Sequence, residues 1–118
     1  MPLSNSDVAG ILRFVHKSGD NFIRQITIED DQDPRQPVNL SGYTVVFEIS
    51  TIKNVTSLFK ITSSANPTRI NISGASSNLI DINFLLTDIA IGRYNYTLSV
   101  VDPSQNIKTW LKGDFIIT

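Results

Sequence analysis

The chain has 118 residues, enough for one domain with its own core, and it contains no cysteine, which excludes disulfides, thiolate-bound zinc and thiol nucleophiles. Ten Lys plus Arg stand against eleven Asp plus Glu for a net charge of -1, and basic residues never run beyond a pair, so a groove that tracks phosphates is excluded as well. No apolar run approaches the ~20 residues of a membrane helix, and Met1 to Asp7 has neither the basic nor the apolar part of a secretory signal. The expectation is one domain, made in the cytoplasm, that uses no nucleic acid, membrane or cofactor.

Residues Met1 to Asp7 are small and polar, and the stretch 1–10 reads as a flexible arm ahead of a domain covering 11–118. A strand is predicted from Ile11 to His16, with Leu12 and Phe14 on one face and Ile11, Arg13 and Val15 on the other. Lys17-Ser18-Gly19-Asp20 turns the chain. In the next strand Phe22, Arg24, Ile26 and Ile28 share the bulkier parity, which predicts a core face with Arg24 at an edge or reaching outward.

The following segment, Glu29 to Pro37, is acidic and carries two prolines, which cannot donate to a sheet ladder. Clustered carboxylates suggest calcium, but the bend lacks the glycine and the bidentate Glu of a calcium loop, so a solvated turn is expected and no metal. Leu40-Ser41-Gly42-Tyr43 forms a corner in which Leu40 plugs the core and the Tyr43 hydroxyl bonds a backbone group. Val45, Phe47 and Ile49 then alternate with Thr44, Val46, Glu48 and Ser50, the pattern of a sheet with one buried and one wet face. The pair of strands within Phe22 to Ile49 is the frame to which the rest is added.

Ser50 to Val55 connects to a short strand, Ser57 to Thr62, with Phe59 and Ile61 inward. Arg69 to Ile72 and Asn78 to Phe84 alternate about a polar turn and read as a hairpin. Thr87 to Gly92 has a cap and a stop, which predicts a single helical or 3₁₀ turn. Arg93 to Val101 is the clearest strand, with Tyr94, Tyr96, Leu98 and Val100 on one parity. Asp102-Pro103 turns into a last strand that is kinked at Gly113. About seven to nine strands with no helix-period segment point to an all-β, two-sheet sandwich, because one open sheet would leave an apolar face wet.

Gly19-Asp20-x-Phe22, the acidic turn, Pro37-Val38-x-Leu40-Ser41-Gly42-Tyr43-Thr44 and then Thr87-Asp88-x-x-x-Gly92-Arg93-Tyr94-x-Tyr96-x-Leu98 resemble, in order and spacing, a domain of bacteriophage and prophage tail proteins. The resemblance is notably to the N-terminal domain of upper-baseplate proteins, and it spans roughly Ile11 to Thr118. The resemblance implies an immunoglobulin-like antiparallel β-sandwich. It also implies a non-enzymatic docking or adaptor role in the tail, baseplate or head-to-tail region of a virion, with other virion proteins as partners and a homo-oligomer in a ring. A virion protein of this kind is synthesised in the bacterial host cytoplasm and leaves by lysis. A carbohydrate-binding module for a host glycan and a capsid decoration protein are the alternatives.

No catalytic constellation is visible. His16 is the lone histidine, beside a turn and without a Gly-x-Ser-x-Gly elbow, so a structural or surface role is expected. The acids sit in turns or on wet parities, which does not suit a glycosidase pair. Four Asn-x-Ser/Thr matches are those expected by chance in so Asn-rich a chain. The interface candidates are Pro2 and Leu3 in the arm, Asp31 and Arg35 in the acidic turn, and Trp110, whose parity with Lys108 and Lys112 predicts an exposed anchor.

Overall fold

A computed structural model describes residues 10–29, 36–86 and 89–118. Within them nine strands run in chain order: β1 (Gly10–Ile11), β2 (Phe14–His16), β3 (Asn21–Thr27), β4 (Thr44–Ser50), β5 (Ser57–Thr62), β6 (Ile70–Ser73), β7 (Leu79–Leu85), β8 (Gly92–Val101) and β9 (Ile107–Ile117). The front sheet has the order β1-β9-β8-β4-β5 with β2 also on β9, and the back sheet has the order β3-β7-β6. All pairings are antiparallel except those of β1 and β2, which lie parallel to β9.

This is the immunoglobulin arrangement. The back sheet reproduces the B-E-D strands, the front sheet the G-F-C strands with an added C′ edge, and the first strand lies on G. A hallmark of that fold is a tyrosine near the start of strand F whose hydroxyl returns to the backbone just upstream. On β8 the Tyr94 hydroxyl donates to the Ala90 carbonyl at 2.7 Å. The corner bond predicted for Tyr43 is thus made by Tyr94, while the half-buried Tyr43 donates only its amide, to the Leu40 carbonyl at 2.9 Å.

The core lies between the two sheets and is built by the alternation. Val45, Phe47 and Ile49 of β4, Tyr96, Leu98 and Val100 of β8, and Ile80, Ile82 and Phe84 of β7 are all buried. Disulfide-bridged immunoglobulin domains place a B–F bridge and a tryptophan at the centre. Here that space is filled by aromatic rings. Phe22 on β3 packs 5.1 Å from both Phe84 and Phe115, and Phe47 stacks on Tyr96 at 5.6 Å. Aromatic burial of this kind stabilises a core without a covalent staple.

Arg24 lies above the open side of that cluster, its guanidinium 4.6 Å from the Phe22 ring centre and 5.6 Å from that of Phe14. An apolar parity therefore carries a cation that covers the core edge, as its position on an edge strand requires.

Three expectations change in detail. The strand expected over 11–16 is two short strands, of which the first includes Gly10, paired with Leu111. Leu12, expected to share one face with Phe14, is exposed while Phe14 is buried, because the two strands are interrupted at Leu12 and Arg13. Of the helical turn expected over Thr87 to Gly92, residues 87 and 88 lie outside the described residues, and Ile89 to Ile91 form bends.

Candidate functional site

The step between β1 and β2 is fixed by three residues. Gly113 of β9 pairs with Tyr96 and takes φ of 154°, and a Cβ added there would run into the Leu12 carbonyl oxygen. With only a hydrogen at that position, the Leu12 backbone crosses directly over Gly113, its amide donating to the Lys112 carbonyl at 3.0 Å. The Tyr96 hydroxyl then reaches the Leu12 carbonyl at 2.6 Å. Burial pushes the Tyr96 hydroxyl up to about 12, so it stays a proton donor throughout the physiological range.

On the solvent side of this junction lies a groove of about 310 Å³ across β1, β9, β8 and β4. Ser50, Asn95, Thr97, Lys112 and Asp114 supply its polar lining. Ile11 and Val55 line it as well, 78% and 71% exposed. Register explains why these residues meet: Asn95 stands between Asp114 and Ser50, and Thr97 between Lys112 and Glu48, all on the outward parity of their strands. Asp114 is held by Arg13 at 3.6 Å. The side chains of Glu48, Ser50, Asn95, Thr97 and Lys112 form no hydrogen bond or ion pair with the described residues.

Val55 adds a second signal. It adopts φ of 49°, in the left-handed region that β-branched residues avoid. Its loop is closed by the Thr51 amide on the Thr56 carbonyl and the Thr56 amide on the Thr51 hydroxyl, both at 3.0 Å. A strained backbone therefore holds an apolar side chain out at the groove.

The outer face of the back sheet is different. Gln25 donates to Asp81 at 2.8 Å, Ser73 donates to the same carboxylate, Asn21 donates to Asn83 at 3.2 Å, and Asn71 donates to the Pro67 carbonyl at 3.1 Å. Asn21, Asn83, Gln25, Asp81 and Ser73 thus satisfy one another across the three strands.

Of the interface candidates read from the sequence, Pro2, Leu3, Asp31 and Arg35 lie outside the described residues, as does most of the acidic turn. Trp110 is described, and it is partly buried against the core rather than exposed. The reason is a bulge: Leu98 pairs with Leu111 and Ser99 with Thr109, so Trp110 is the extra residue and its parity no longer predicts its face. His16 is buried, 5% exposed, edge-on to Phe22 at 5.5 Å, with Nε2 unpartnered. That is the structural role expected of it. No group of three or more acidic or histidine side chains is placed to hold a metal among the described residues.

The groove itself was not singled out from sequence. Its polar lining was legible as the wet parity of β4 and β8, but the step at Leu12 and the conformation of Val55 leave no pattern in a single chain.

No family model matches the chain, and no curated protein matches it. Among solved structures it is similar to a chain in the crystal structure of Dpr1 IG1 bound to DIP-eta IG1, at 16% identity over 97% of this chain and 92% of that one, with a TM-score of 0.38. It is also similar to a chain of the ZIG-8–RIG-5 IG1-IG1 heterodimer, at 12% identity over 97% and 86%, with a TM-score of 0.39. The immunoglobulin-like fold stands on strand order, register and the Tyr94 corner.

Proposed function

We propose that this chain is a non-enzymatic docking module of a phage particle, an adaptor in the tail, baseplate or head-to-tail region, and that it engages its neighbours through the outer face of the front sheet. The observation that carries the docking reading is the contrast between the two outer faces. Gln25, Ser73 and Asp81, and Asn21 with Asn83, bond to one another on the back face, whereas Glu48, Ser50, Asn95, Thr97 and Lys112 on the front face make no side-chain bond with the described residues and lie beside exposed Ile11 and Val55. Free donors and acceptors beside exposed apolar groups are what a docking surface requires before its partner arrives. The phage setting rests on the resemblance carried by Gly19 to Phe22, Pro37 to Thr44 and Gly92 to Leu98.

The carbohydrate-binding alternative is less well supported. A sugar platform uses an exposed aromatic face, and the aromatic residue lining the groove, Tyr96, is buried with its hydroxyl engaged by Leu12. Trp110, the other candidate platform, packs against the core.

Incorporation into particles is the test. Virions produced with the wild-type chain should contain it after gradient purification, and Thr97→Arg should lose it at an unchanged melting temperature. A chain absent from particles, or a Thr97→Arg chain retained at the wild-type level, overturns the reading.

A further inference from the structure

The docking reading leaves the occupant of the front face unnamed, and the inference that follows rests on it. We propose that the occupant is a second copy of this chain, packed face to face about a two-fold axis that runs along β8.

Cross-strand register places Ile11, Lys112, Thr97, Glu48 and Lys60 side by side in one row from β1 to β5. The adjoining row is Asp114, Asn95 and Ser50. A two-fold axis along β8 sets each row against itself in reverse order. Thr97 meets Thr97 at the axis, and Lys112 of each copy lies over Glu48 of the other. In the second row Asn95 meets Asn95, whose amides donate and accept at once, and Asp114 lies over the Ser50 hydroxyl of the other copy.

Ile11 lines the groove from the β1 side and Val55 from the connection between β4 and β5. In the first row the rotation sets Ile11 of one copy over Lys60 of the other, against the aliphatic stem of its side chain, and does so at both ends. The two rows therefore complement themselves: cation against anion at Lys112 and Glu48, amide against amide at Asn95 on the axis, and carboxylate against hydroxyl at Asp114 and Ser50. That self-complementarity is the condition for an isologous two-fold interface. The row has Lys112 and Lys60 against Glu48, and the Arg13–Asp114 pair is neutral, so no anionic or cationic block faces its own image.

Charge exchange tests the pairing directly. Sedimentation velocity of the full chain from micromolar to near-millimolar concentration should show a monomer–dimer equilibrium. Lys112→Glu and Glu48→Lys should each weaken it about tenfold or more, and the double exchange should return it to within about threefold of wild type. Circular dichroism of each variant keeps misfolding apart from lost association.

A wild-type chain that stays monomeric at every concentration overturns the proposal, and so does a double exchange no tighter than the single ones. The docking reading fails separately. A monomeric chain that still enters particles, and loses that ability with Thr97→Arg, removes the self-pairing while leaving the front face as the contact surface for a different protein.

Discussion

The two outer faces of this sandwich are made from the same kinds of residue and are used differently. On the back sheet Gln25, Ser73 and Asp81 share hydrogen bonds, and Asn21 and Asn83 share another, so the polar layer ties β3, β7 and β6 together. On the front sheet the side chains of Asn95, Thr97, Ser50, Glu48 and Lys112 stand in register with one another and form no bond with the described residues. The bonded back-face residues therefore contribute to stability, and these five front-face residues leave their bonding capacity for a partner. Substitutions should separate the two, with melting losses on one side and association losses on the other.

The largest effect belongs to the junction beneath the front face. Gly113→Ala drives a Cβ into the Leu12 carbonyl and forces an unfavourable φ, so it should cost about 3 kcal/mol or more by chemical denaturation. It should also detach β1 and with it Ile11 from the groove. Gly74→Ala provides the contrast at a turn glycine with φ of 90°, where the near neighbours are the ends of the Leu79 side chain, and it should cost less.

Next comes an alkaline limb specific to Tyr96. The folded state keeps this proton to about pH 12, beyond the value of 10.0 where a free tyrosine loses it. The group's contribution is therefore intact below pH 10 and is lost as the pH rises through 12, amounting to about 2 kcal/mol. Denaturation at pH 8 and pH 11 should show about half of this fall, roughly 1 kcal/mol, in wild type and a smaller one in Tyr96→Phe, which retains Tyr43 and Tyr94. An equal fall in both would place the alkaline sensitivity elsewhere.

Asp81→Ala should cost about 1 kcal/mol by removing the shared acceptor of Gln25 and Ser73, without changing association. Val55→Asn should do the opposite. Asn tolerates the left-handed conformation, so stability should rise by about 0.5 kcal/mol while self-association weakens. A variant that gains stability and keeps association would remove Val55 from the contact.

Much of the fold could be read from the chain because strict alternation reports burial directly. Parity assigns Val45-Phe47-Ile49 and Tyr94-Tyr96-Leu98-Val100 to the core, and all are buried except Tyr94, which is partly buried against it. Parity failed where the backbone departs from a regular pleat. The bulge at Trp110 turned an expected exposed anchor into a core-packed side chain, and the step over Gly113 exposed Leu12. The groove depends on both the step and the conformation of Val55, so its polar lining was legible as a wet face while its shape was not.

Lysine acylation followed by mass spectrometry at low and high protein concentration is the most direct check on the front face as the contact surface. Lys112 lies on that face, whereas Lys17 is exposed in the turn before β3 and serves as the internal reference. The account predicts that Lys112 becomes protected as the concentration rises while Lys17 reacts at an unchanged rate. Equal labelling of Lys112 at both concentrations, or protection at Lys17 instead, would contradict it.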